Sequence, residues 1–279
     1  MHLINSHLFQ QKPSGDDVLF TALVDKATTL GYTLPSANTL SALNTLIKDM
    51  RRIGMIQRLD LFHVYASDLG TANPFRLMNI CNAEMIGTSN NGVLWSNQGS
   101  KGVISTRSYI DTRFNPYIGG YNYQQNDASY GVILFENASS SVNEVVIGSS
   151  SSNVNISQSW NRISPIMSDT QRINNDRGRN NTFTSSVDFS LIGLKMLSRS
   201  NTNVKAVSTH NIHYGVGDSG LLQNENFHIH NGISLNSPYY SACGVSCAFA
   251  GASIPYEMAQ NFRQIYNKYL RTIGLQQVA

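Results

Sequence analysis

Two hydrophobic periods divide the chain. Between residues 17 and 54 apolar positions recur at helical intervals. Asp16 or Asp17 can cap a first helix whose Val18, Leu19, Leu23, Ala27 and Leu30 share a face, and Gly31 suits the position that ends it. Pro35 and Ser36 open a second helix, with Leu40, Leu43, Ile47 and Met50 as its stripe and Gly54 as its stop. From about residue 57 the pattern shortens to β-prone runs: "RLDLFHVYAS", "YIDTRF", "SYGVILFE", "NEVVIGS", "NVNISQSW", "VDFSLIGLKMLS", "NVKAVS", "NFHIHNG" and "GVSCAFAGAS". Gly, Asn and Ser clusters separate them. Many short strands with turn signals between them predict an all-β sandwich or jelly roll. The last element is a helix, capped by Ser253, with Pro255 in its first turn and Met258, Phe262, Ile265, Tyr266 and Tyr269 as its stripe.

Composition narrows the function. The 279 residues are 41% hydrophobic, enough for a real core, yet only 13% charged. Polarity comes instead from 30 Asn and 34 Ser. A net charge of +3 argues against nucleic acid as a partner. The densest basic stretch, "QRINNDRGRNN", encloses an Asp and no aromatic, and reads as a solvated hairpin loop. No apolar run approaches the ~18 residues of a membrane span, and the start lacks the pattern of a signal peptide. Cys81, Cys243 and Cys247 make no disulfide framework and read as small core residues.

Four constellations could carry chemistry. "ENFHIHNG" places His228 and His230 on one side of a strand, with His210 and His213 upstream as further ligands if their strand were adjacent. The weightier reading puts Phe227 and Ile229 in the core and both histidines outward, with no metal or other cofactor. "GDSG" at 217–220 matches a serine-protease nucleophile loop, but His63 lacks the context of its general base, so a turn is expected. Glu136 and Glu144 could be neighbours on a hairpin, but lack the one-strand acid spacing of sandwich glycoside hydrolases, so no catalytic residues are assigned. Finally, Tyr117, Tyr121 and Tyr123 in "NPYIGGYNYQQN" and Tyr239 and Tyr240 in "NSPYYSA" sit among amides. Such rings suit stacking on sugars or a protein interface; tyrosines that merely pack their loops are the plainer alternative.

The order "RLDLFHVYASD", "NPFRLMNI", "GSKGVISTRSYIDTRFNP" and "CAFAGASIPYEMAQNFRQIYNKYL", behind a helical hairpin, resembles LamG/concanavalin-like proteins encoded by tailed bacteriophages and prophages, notably of Bacteroidota hosts. The likeness covers about residues 17–272. It implies a jelly-roll sandwich and a structural station in the virion, as a tail-fibre, head-fibre or capsid-decoration protein, and transfers no active-site residues. The expectation is therefore a non-enzymatic virion protein: residues 1–56 attach it to other virion proteins, of capsid or tail, and residues 57–279 form the sandwich, over 57–252, with its closing helix. A homotrimer is expected, by analogy with phage fibres. Alternatives are a lectin for host-surface glycans using the five tyrosines, and, with least support, a polysaccharide depolymerase.

Overall fold

The structure is a computed structural model and describes residues 15–137, 144–149, 159–163, 172–176, 182–183, 192–209, 211–217, 222–231 and 240–278. Four helices and seventeen strands are seen among them. The helices are α1 (Val18–Thr29), α2 (Ala37–Arg52), the single turn α3 (Pro116–Gly119) and α4 (Tyr256–Thr272). The strands are β1 (Leu59–Val64), β2 (Met78–Asn79), β3 (Asn82–Ile86), β4 (Thr88–Asn90), β5 (Leu94–Ser96), β6 (Gly99–Lys101), β7 (Tyr109–Asp111), β8 (Asp127–Glu136) and β9 (Ile147–Ser149). They continue as β10 (Ser159–Ile163), β11 (Arg172–Asp176), β12 (Thr182–Phe183), β13 (Gly193–Ser200), β14 (Asn203–Ser208), β15 (Asn211–Val216), β16 (His228–Ile229) and β17 (Gly244–Gly251).

The strands build a β-sandwich. The larger sheet runs β12-β15-β14-β13-β8-β17-β6-β5, with β1 also paired to β17; the smaller runs β11-β10-β9-β16-β7-β4. Neighbours in both are antiparallel, and β2 with β3 makes a separate pair. The stretch around "QRINND", expected to be loop, contains β11, paired with β10. Backbone pairing there outweighs the weak strand preference of Asn and Asp.

The central strands of the larger sheet are covered on both faces, which explains the nearly unbroken apolar runs of β8 and β17. Tyr130, Val132, Leu134, Val245, Ala248 and Ala250 face the smaller sheet. Ile133, Met196, Cys247 and Phe249 face the helices, in one core with Leu23, Leu43, Ile47, Phe262 and Tyr266. Phe249 and Phe62 meet Phe262 edge-on, at ring distances of 5.5 and 6.1 Å. A Cβ on Gly131 would lie 2.6 Å from the Phe249 ring, so glycine makes room for that ring in the central strand. A register shift between Val245 and Cys247 turns Ser246 toward α4, where it bonds Tyr266 Oη at 2.9 Å.

The caps follow the sequence at two helices and depart from it at the third. The Asp17 carboxylate accepts from Leu19 N at 2.9 Å, and Ser36 Oγ from Thr39 N at 3.3 Å. Asp17 also takes a two-pronged bond from Arg51, at 2.6 and 2.8 Å, which ties α1 to α2 and holds the carboxyl below its usual range. Val18 and Leu30 are exposed, so the α1 stripe narrows to Phe20, Leu23 and Ala27. Pro255, not Ser253, occupies the cap position of α4; the Ser253 amide donates instead to Asp127. Residues 1–14 of the expected attachment element lie outside the described residues.

Candidate functional site

Among the described residues no helix covers the outer face of the smaller sheet, and β7 and β16 place polar side chains there. Ile110 pairs with Ile229 and both are fully buried, so alternation turns Tyr109, Asp111 and His228 to the other side. His228 stands opposite Asp111, and its ring lies 5.1 Å from that of Tyr109. The Asp111 carboxylate accepts from Asn226 Nδ2 at 2.9 Å and from the Arg113 amide at 2.8 Å, and pairs with Arg113 Nε at 3.5 Å. Arg113 lies in the left-handed region at φ 62°, the backbone bend that brings its amide under Asp111.

The next segment carries this face outward. Thr112 turns inward and its hydroxyl donates to the Phe227 carbonyl at 2.7 Å. Asn115 Oδ1 caps α3 by accepting from Tyr117 and Ile118 amides, while its Nδ2 donates to Asn224 at 3.1 Å. The single turn so fixed presents Tyr117 (63% exposed) and Ile118 (78%), with Tyr121 (88%) just beyond. Asp60 of β1 closes the loop, accepting from the Asn122 and Tyr123 amides at 2.9 and 2.7 Å. Burial still pushes the Asp60 carboxyl up, against those bonds.

The outer face is partly dry and negative. Burial, and then the charge of Asp111, push Glu225 up. Burial also holds His228 below the usual imidazole range, opposed by Asp111. Tyr109 is pushed up by burial and by Asp111. Neutral imidazole, carboxylates and amide groups beside exposed rings form a surface that can exchange hydrogen bonds with hydroxyls and stack on an apolar ring face. Among the described residues no three His, Cys, Asp or Glu side chains converge on a metal position.

Several expected sites are corrected by position. Tyr123 and Tyr240 are buried and cannot be surface contacts; Tyr123 packs against Phe114 and Phe227 in the sandwich core. Tyr239 lies outside the described residues. Phe227 and Ile229 face the core as expected, but only His228 of the two histidines faces outward. His230 has φ 65°, which breaks the strand's alternation and buries it completely, with Nε2 3.0 Å from Ser100 Oγ. Gly102 permits this packing: a Cβ there would meet the Ser241 carbonyl at 1.9 Å and His230 Cβ at 2.9 Å. His213 belongs to β15 of the larger sheet, so the histidines do not share a sheet; His210 lies outside the described residues.

His63 is fully buried beside Tyr65 Oη, and burial lowers it to about 3, so it is no general base. Residues 218–220 of "GDSG" are outside the described set. Glu136 pairs with Lys101, whereas buried Glu144 accepts from Ser241 and Ala242 at 2.9 and 3.0 Å, so the two acids are engaged at different places. The Asp111 cluster was not singled out from the sequence. Its signal was the acid in "YIDTRF" at strand alternation, readable only once "ENFH" is known to be the neighbouring strand.

No family model and no curated protein matches the chain. Among solved structures, domain 4 of AbnA, a GH43 extracellular arabinanase from Geobacillus stearothermophilus, in complex with arabinotriose, has a TM-score of 0.51 at 8% identity, covering 74% of this chain and 98% of that one. Trypanosoma rangeli sialidase with the inhibitor DANA has a TM-score of 0.45 at 10% identity, covering 80% of this chain and 37% of the sialidase. A mutant of that sialidase displaying trans-sialidase activity has a TM-score of 0.47 at 9% identity, with 85% and 40% covered. The arabinanase likeness is one of fold. It overturns the expectation that the chain is not an enzyme, which rested on motif absence: this sandwich occurs within a glycoside hydrolase.

Proposed function

We propose that this chain is a carbohydrate-binding sandwich of the concanavalin-like jelly-roll type, carried on a bacteriophage virion and directed at host-surface glycans. The outer face of the smaller sheet is the receiving surface, with Asp111, Asn226 and Arg113 as hydrogen-bonding groups and Tyr117 and Tyr121 as stacking rings. The observation that carries the reading is the exposure of those two rings on a loop anchored at both ends, by Asn115 and by Asp60, beside a preorganised carboxylate. Ordered anchors reduce the entropy lost on binding. That domain 4 of the arabinanase is in complex with arabinotriose supports the same ligand class. The phage setting rests on the sequence resemblance and on a surface dominated by neutral amides. The helical hairpin of α1 and α2 lies across the larger sheet from this face and serves as the attachment side of a trimer.

A glycan array of arabino-oligosaccharides and host capsular polysaccharides tests the reading, followed by calorimetry on the best ligand. Tyr117→Ala and Asp111→Asn should each weaken binding about tenfold, the cost of a lost stacking or charged hydrogen-bond contact of ~1–3 kcal/mol. Absence of binding to the host's own surface sugars would overturn it. Chromatography with light scattering checks the trimer.

A further inference from the structure

A long groove opens on the helical side of the molecule, the side to which that reading gives attachment but no named contact. It runs between α2 and α4, which are antiparallel: Asn38 Nδ2 of α2 donates to the Thr272 carbonyl at one end, and Gly54 faces Met258 at the other. A space of about 400 Å³ opens toward the Arg52 end, and a second of about 80 Å³ continues toward Asn38; both border Asp49, Ile265 and Lys268. The small side chains of Ser41, Ala42 and Thr45 form the α2 wall of the second space and keep the groove open. Ile265 and Ile53, both half-buried, supply apolar surface along it, with buried Leu46 beneath.

Its rim is cationic. Arg52, Lys268 and Arg271 are all exposed. The one acid is Asp49, itself buried and already bonded to Arg52 at 2.7 Å and Lys268 at 2.9 Å. Arg271 makes no ion pair among the described residues. Three cations thus face one occupied carboxylate, and the rim favours an anionic visitor. The walls are two helices; the 16 residues of α2 span about 24 Å at ~1.5 Å per residue. A third helix laid along such a trough completes a three-helix layer, with apolar residues at i, i+3, i+4 and i+7 on the floor.

We propose that the α2–α4 groove receives an acidic amphipathic helix of a protein partner. The inference is independent of the glycan reading, because the groove and the smaller sheet lie on opposite sides of the larger sheet. The test is fluorescence anisotropy with the full chain and a designed helix of about 16 residues, leucine on one face and glutamate on the other. A peptide with lysine replacing glutamate and a single-stranded DNA oligonucleotide serve as comparison probes. The glutamate peptide should bind, and the lysine peptide should not. Arg271→Glu and Thr45→Trp, the latter filling the groove from an exposed position, should each weaken binding several-fold at low salt, whereas Lys205→Glu on β14 should leave it unchanged. Thermal melts of each variant confirm that it is folded. Failure of the glutamate peptide to bind, equal binding of the lysine peptide, full binding by Thr45→Trp, an equal loss in Lys205→Glu, or tighter binding of the DNA would each overturn the proposal.

Discussion

At its central strands, β8 and β17, the larger sheet is buried on both faces, yet the two are buried by different means. The helical face is almost purely apolar: Phe62, Phe249 and Phe262 interlock, and the hydroxyls of Tyr266 and Tyr269 reach Ser246 and the Ala66 carbonyl. The face toward the smaller sheet mixes aromatic packing with buried polar and charged groups. Lys195 and Arg199 are fully buried, Lys195 donating to Ser208 Oγ and Arg199 to the Asn201 and Gly217 carbonyls. At the edge of the sheet, buried Arg76 donates to the Tyr65, Thr71 and Ser96 carbonyls and lies 4.7 Å from the centre of the Trp95 ring. Hydrophobic burial alone can hold a helix on a sheet. A sandwich rim must also satisfy the backbone groups of the loops that leave it, and buried side chains do that here.

The largest effect that would sharpen this comparison comes from truncating one ring on each face. Phe249→Ala and Phe227→Ala should each cost about 3–5 kcal/mol in denaturant unfolding. They should differ in function. The Phe227 ring packs on Phe114 and Tyr123, which flank the loop of Tyr117 and Tyr121, so Phe227→Ala should weaken ligand binding beyond the loss of folded protein, while Phe249→Ala should not. Equal effects on binding would erase the distinction.

A pH dependence comparable in size over its whole range should follow. Burial lowers His63 and His230 to about 3 in the folded chain. Between about 6.5 and 3 the unfolded chain binds the protons that the folded chain refuses, so stability falls as pH falls, by about 1.4 kcal/mol per pH unit for each histidine. Below about 3 these two add nothing further. His63→Leu should reduce the slope of unfolding free energy against pH over that window; an unchanged slope would place the proton uptake elsewhere. Glu144 acts with the opposite sign. Burial pushes it up, so its contribution is lost as pH rises through the carboxylate range. Glu144→Gln should gain on the wild type as pH rises from about 4.5.

The smallest effect on stability is expected at the exposed rings. Tyr117→Ala and Tyr121→Ala should change unfolding by no more than about 0.5 kcal/mol, while reducing the glycan response. Loss of stability without loss of binding would reverse the roles assigned to the loop and the core.

Much of the architecture was legible because it depends on local pattern. The α2 stripe, the Asp17 and Ser36 caps, and the alternation of Phe227 and Ile229 all appear where spacing puts them. The failures share a cause, which is that tertiary partners decided them. Tyr117, Tyr121 and Tyr123 look alike in sequence, yet Asp60 captures the Asn122 and Tyr123 amides and draws Tyr123 inward. His230 looked equivalent to His228 until one residue with positive φ ended the alternation. Asp111 and Asn226 are 115 residues apart and become a site only through the pairing of β7 with β16.

The sequence by itself indicated the class of α1, α2, α4 and the apolar central strands, though not of β11, because apolar period and turn chemistry act over a few residues. It determined the scarcity of charge, and with it a surface of amides and hydroxyls. Only the tertiary structure decided which sheet each strand joins, which tyrosines meet solvent and which acid stands beside which base. Those outcomes depend on contacts between distant residues, whose free energies are set by burial and geometry that no local pattern contains.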